Sequence, residues 1–212
     1  MSKSEENPFS YPRKKRDTEY LGVNCITLFM DVVGYSKNAG TKEMRRVISR
    51  INETIDDCLS KQYYWGEERK PNDIILILTG DGFAVGYNPN LPLDKPLEDA
   101  IDIYNKMTDE DLLKVRIGVA KGFNVRYIDK DDHLNLIGPG INLANRVMTG
   151  AAENQILIHE DLIEELKRTE RFPKHIQPLP EPIVTKHGEQ LIAFNYYKQD
   201  EFGSPISDSP PD

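Results

Sequence analysis

Between about residues 21 and 198, continuous apolar runs alternate with stripes of helical period, and both flanks are polar. Val23 to Asp31 reads as an apolar strand ending in a carboxylate. From Thr41 onward, Met44, Val47, Ile48, Ile51, Ile55, Cys58 and Leu59 recur at helical spacing, which predicts a helix with one buried face. Ile74 to Leu78 is too uninterrupted for an exposed strand, and Thr79-Gly80-Asp81-Gly82 reverses it into Phe83 to Tyr87 as a hairpin with Asp81 at its tip. A helix is expected near Leu97 to Met107, a strand at Lys114 to Ala120, and a returning strand pair over residues 122 to 137 around Asp129-Lys130-Asp131-Asp132. Pro139 suits the first turn of the next helix, where its missing N–H costs nothing, and Ile141, Ala144 and Met148 form that helix's apolar side. Gln155 to Ile158 reads as a strand and Glu160 to Lys167 as a short helix, and Ile183 to Thr185 is expected to pair with Leu191 to Tyr197 across a His187-Gly188 turn. The order β-α-β-β-α-β with a late extension predicts an α+β sheet with helices on one face.

Composition narrows the function classes. At 212 residues and 38% apolar content the chain fits one ordinary domain, residues 21 to 198, between polar tails at 1 to 20 and 199 to 212. A net charge of -8 argues against general attraction to nucleic acid or anionic membranes, with Pro12-Arg13-Lys14-Lys15-Arg16 as a local exception. Two cysteines, Cys25 and Cys58, make no disulfide framework and read as buried free thiols of a reducing compartment. No apolar run approaches the ~20 residues of a membrane helix, and the N-terminal segment is too polar for a signal peptide, so a soluble cytoplasmic protein is expected.

The chemistry rests on four side chains. Asp31 and Asp81 each end an apolar strand, and each alone has an ordinary explanation: a strand-end Asp accepts N–H bonds from the next turn, and Gly-Asp-Gly is a good hairpin sequence. Together, on adjacent strands, they place two carboxylates where hard cations carrying triphosphate bind. Backbone N–H groups from Val32 through Val33, Gly34, Tyr35 and Ser36 follow directly and suit a phosphate. Asn142 and Arg146, four residues apart, share one helix face, which is either solvated surface or a pair apt for fixing a ribose and stabilising phosphoryl charge. The histidines, His133, His159, His175 and His187, have no zinc-ligand spacing, and there is neither a P-loop nor a Ser-His-Asp case.

Four blocks in order, FMDVVGYS, LTGDGFAVGY, VRIGVAKG and LIGPGINLANRV followed by AENQILI, resemble the catalytic domain of class III nucleotidyl cyclases over about residues 26 to 158. The resemblance implies a ferredoxin-like core acting as a head-to-tail homodimer, with each site built from both protomers. It assigns Asp31 and Asp81, with the carbonyl of Val32, to two Mn²⁺ or Mg²⁺ ions per site. Asn142 and Arg146 take the ribose-orienting and transition-state roles from the opposite protomer, and Lys186 resembles a late lysine that contacts the terminal phosphates. Base selection departs from the adenylyl pattern: Ile77 stands where a purine-reading lysine is usual, Asn135 stands in place of an aspartate, and Phe123 replaces a triphosphate-binding arginine. An amide both donates and accepts, so Asn135 suits a pyrimidine edge without distinguishing uracil from cytosine. The compact form is most similar to the pyrimidine cyclases of the bacterial Pycsar anti-phage system, which implies UTP, with CTP second, as the nucleoside triphosphate substrate. It also implies a downstream effector activated by the cyclic nucleotide without direct binding.

Overall fold

The computed structural model describes residues 21–35, 40–60, 73–109, 113–130, 133–169 and 175–196. Both polar tails, the basic run at 12–16 and Ser36 lie outside these residues.

Strand β1 (Leu21–Val32) is central. Its even positions Ile26, Leu28, Met30 and Val32 enter the main core, whereas Val23 and Cys25 enter a separate cluster with Ile75 and Leu136, so the strand is buried on both sides. That is why its sequence hardly alternates. Helix α1 (Thr41–Thr54) continues as a π-helical turn, Ile55–Ser60, and is followed by the hairpin β2 (Ile74–Leu78) and β3 (Gly82–Tyr87). Helix α2 (Lys95–Thr108) leads into β4 (Val115–Ile128), and β5 (Leu134–Ile137) folds back on β4. Next come α3 (Pro139–Thr149), β6 (Gln155–His159), α4 (Glu160–Leu166), β7 (Ile176–Pro178), β8 (Ile183–Val184), β9 (Gln190–Leu191) and β10 (Ala193–Tyr196). The sheet order is β2-β3-β1-β4-β6-β10-β7, with β5 pairing β4 beside this path. Its antiparallel β2-β3-β1-β4 half, joined by α1 and α2, is the ferredoxin-like arrangement; β6 then lies parallel to β4.

Four expectations need correction. The helices do not share a face: α1, α2 and α4 cover the main core, but α3 packs on the opposite side with Val147 and Ala151 against Leu157, Leu191 and Ala193. A strand buried on both sides gives no sign of which helix takes which side. Met44 and Ile48 are exposed, because α1 buries only Val47, Ile51 and Thr54. The segment from 114 to 128 holds one long strand, whose first half pairs with β6 and whose second half pairs with β5. Finally, the strand expected over Leu191 to Tyr197 is divided as far as it is described, to Tyr196: among the described residues Ile183 and Val184 pair with Leu191 and Gln190, and after Ile192 the chain joins β6 and β7 instead, with β7 itself unforeseen.

Helix α3 lies unusually close to the sheet. A Cβ on Gly118 would stand 2.3 Å from the Met148 nitrogen and 2.4 Å from the Ala144 carbonyl oxygen, so only glycine admits the helix at this distance. Among the described residues no helix is long and apolar enough to cross a membrane.

Candidate active site

Strand register brings the two acids together. Asp31 sits opposite Gly82 on β3 and opposite Arg116 on β4, and the Val32 N–H donates to the Asp81 carbonyl at 3.0 Å. The turn carrying Asp81 depends on Gly80, whose φ of +95° disfavours side chains. Burial pushes the Asp31 carboxyl above the usual carboxylate range, the hydrogen bond from Arg116 opposes that rise, and the neighbouring Asp81 charge adds to it. Arg116, which the sequence reading missed, places Nη2 2.5 Å from Asp31 Oδ2. It becomes visible only once β4 is known to run antiparallel beside β1.

Two adjacent carboxylates at a strand end, one raised chiefly by burial and further by the other's charge, form a donor set suited to hard divalent cations. Among the described residues no three His, Cys, Asp or Glu side chains converge into a group that could hold a metal ion; hard cations also accept backbone oxygen, water and phosphate as ligands. Val32 keeps its side chain in the core. In the following turn its amide and that of Val33 are already engaged, the latter with the Lys114 carbonyl at 2.8 Å, which leaves Gly34 and Tyr35 as the described amides able to face a phosphate.

Asn142 and Arg146 occupy one exposed face of α3. Among the described residues no hydrogen bond joins them to the aspartates. Their helix is nailed in place by Asn124, a fully buried amide missed from sequence: its Nδ2 reaches Cys25 Sγ and Thr27 Oγ1, both at 3.3 Å, while its Oδ1 accepts from the Ile141 N–H at 2.9 Å. All of Asn124's hydrogen bonds thus run between β1, β4 and the start of α3. Arg146 pairs with Glu189 of the β8–β9 turn, Nη1 to Oε2 at 2.5 Å, and the same turn displays Lys186 exposed.

The positions that the resemblance assigns to the base, Ile77 and Asn135, and to a triphosphate contact, Phe123, are held differently. Ile77 is partly buried and packs with Leu134 on the cluster of Val23, Cys25, Ile75 and Leu136. Asn135 uses its Oδ1 to accept from the Leu136 N–H at 2.8 Å. Strand alternation sends it to the opposite face from Leu134 and Leu136. Phe123 is half-exposed at 52%.

No family model matches the chain. An adenylate cyclase of Lachancea kluyveri is 35% identical over 81 residues, which is 38% of this chain and 4% of that protein, so the chain spans only a small fraction of its curated relative. The fold has close solved counterparts. The catalytic core of a rhodopsin-guanylyl cyclase with converted specificity, in complex with ATPαS, superposes with a TM-score of 0.67 at 19% identity, covering 84% of this chain and 98% of that one. The guanylate cyclase domain of RhGC from Catenaria anguillulae in complex with GTP gives 0.66 at 19% identity over 83% and 97%. The adenylyl cyclase CyaB from P. aeruginosa gives 0.62 at 13% identity over 86% and 98%. The chain therefore has the mixed α+β fold of class III cyclase catalytic domains.

Proposed function

We propose that the chain is a nucleotidyl cyclase that converts a pyrimidine nucleoside triphosphate, UTP ahead of CTP, to the 3′,5′-cyclic monophosphate and pyrophosphate. The observation that carries the reading is the pairing of Asp31 and Asp81 on neighbouring strands of this fold, with Asn142 and Arg146 presented on an exposed helix face. In the reaction the ribose 3′-oxygen loses its proton and attacks the α-phosphorus, a new P–O bond forms, and the bond to the β-phosphate oxygen breaks. Asp31, Asp81 and the Val32 carbonyl would hold two Mn²⁺ or Mg²⁺ ions, which when bound would lower the pKa of the 3′-hydroxyl and neutralise phosphate charge. Arg116 keeps one oxygen of Asp31 fixed through its 2.5 Å contact. Arg146 stabilises charge developing on the α-phosphate, Asn142 orients the ribose, and Lys186 meets the terminal phosphates. Intramolecular attack leaves the protein mainly the work of folding the nucleotide and neutralising its charge.

The exposed position of Asn142 and Arg146 supports a homodimer in which each site takes its aspartates from one protomer and these residues from the other. Ile77 supports a pyrimidine because an alkyl side chain offers a purine edge no donor. The cyclic product acts as a second messenger in anti-phage defence, read by a separate effector. The purine alternative has its own support, since the solved counterparts described above are adenylyl and guanylyl cyclases. Incubation with ATP, GTP, CTP or UTP and Mn²⁺, with products identified by mass spectrometry, tests both. Cyclic UMP is expected to dominate. Preferred turnover of ATP or GTP removes the pyrimidine assignment, and no cyclic product from any of them removes the cyclase reading.

A further inference from the structure

The turn joining β8 to β9 sets one acid in a basic ridge. Lys186 and His187 are exposed at its tip and Glu189 closes it. Its backbone is clamped: the Thr185 N–H donates to the Glu189 carbonyl at 2.9 Å, the Glu189 N–H to the Thr185 hydroxyl at 3.2 Å, and the Gly188 N–H to the Thr185 carbonyl at 2.9 Å. The hairpin is also built onto α3, since Leu191 and Ile183 pack with Val147 and Ala151, and a Cβ on Gly150 would lie 2.5 Å from Ile183 Cγ2. The fold itself thus delivers the Glu189 carboxylate to Arg146.

The pair is open to water, with the Arg146 and Glu189 side chains 43% and 50% exposed, so it adds little to stability. What it does is occupy guanidinium donors of the fork that matches a phosphate. We infer that Glu189 is a resting counter-anion for Arg146, holding the guanidinium against the turn that carries Lys186 until the triphosphate of the substrate displaces it. The inference rests on the cyclase reading above. A carboxylate and a phosphate compete for the same donors, and a carboxylate left beside a polyphosphate repels it. Glu189 therefore lowers nucleotide affinity and acts through Arg146 as a positioning residue.

The test measures binding without turnover. The probe is the 3′-deoxy form of whichever triphosphate the four-nucleotide assay selects, because it lacks the attacking hydroxyl; it is titrated with Mn²⁺ into wild type, Glu189→Gln, Arg146→Ala and the double variant. Glu189→Gln is expected to bind about 3- to 5-fold more tightly at low salt, with the difference closing near 0.5 M salt, and to keep the wild-type melting temperature. Most of the gain should vanish when Arg146 is absent. Equal or weaker binding by Glu189→Gln, or a gain that persists fully without Arg146, overturns the inference. If Arg146→Ala is impaired while Glu189→Gln matches wild type, only the Glu189 role falls. If Arg146→Ala matches wild type in both affinity and turnover, the role of Arg146 falls and this inference with it.

Discussion

Asn124 shows how a single buried amide can govern a distant functional face. Its three hydrogen bonds join Cys25, Thr27 and the first turn of α3, the helix that presents Asn142 and Arg146. Asn124→Ala leaves the Ile141 N–H without its acceptor and is expected to cost about 1–3 kcal/mol, read by urea unfolding. Turnover should fall as well, because α3 loses its anchor; wild-type stability would show that the helix start is held by other means. Asp31 makes a second prediction, this time about pH. Its folded-state pKa lies above the unfolded value, chiefly through burial, so the native state binds the proton more tightly. Stability contributed by the protonated carboxyl is complete below the unfolded value of about 3.9 and is lost as pH rises through the folded one. Without metal, Asp31→Asn should therefore melt above wild type at pH 7, with the gap narrowing on acidification. A gap that widens on acidification would contradict the assigned shift. Bound Mn²⁺ should reverse the order, since the ions favour the ionised carboxylate.

At the scale of elements, the approach of α3 to β4 is the fold's tightest requirement. Gly118→Ala places a methyl group against backbone atoms of Ala144 and Met148, which cannot swing aside as a side chain can. A loss of about 1–3 kcal/mol is expected from such overpacking, measured as a lower urea midpoint, with activity falling because Arg146 moves with the helix. An unchanged midpoint would mean that the helix retreats freely. The same contact explains what the sequence made legible. Asp31 and Asp81 could be read because each ends an apolar run at a turn, a purely local signal. The side of the sheet taken by α3 could not, because β1 carries apolar residues on both faces and helical periodicity says only which face is buried, not against what. Arg116, Asn124 and Glu189 were missed for a related reason: their partners lie 85, 17 and 43 positions away in sequence, and only strand register or hairpin docking brings them together. The split of residues 191 to 196 between two sheets likewise depends on which edge was free to pair.

For the whole molecule, the spatial division of the candidate site is the decisive feature. The aspartates lie at the ends of central strands, whereas Asn142 and Arg146 face outward on α3, and no hydrogen bond links the two sets among the described residues. The close packing of α3 on Gly118 fixes where the helix presents Asn142 and Arg146. In the proposed two-fold dimer each copy would offer this exposed helix face to the other's aspartates. Asp31→Ala and Arg146→Ala should each be inactive alone. In a mixed dimer, one site combines the intact aspartates of the Arg146→Ala chain with the intact arginine of the Asp31→Ala chain, while the other site carries both lesions. Random exchange makes half the dimers mixed with one good site each, so an equimolar mixture should recover about a quarter of wild-type activity. Subunit exchange is verified separately with differently tagged chains. Exchange without recovery would place the whole site within one protomer, and recovery near one quarter, rising with the fraction of mixed dimers, requires the shared arrangement.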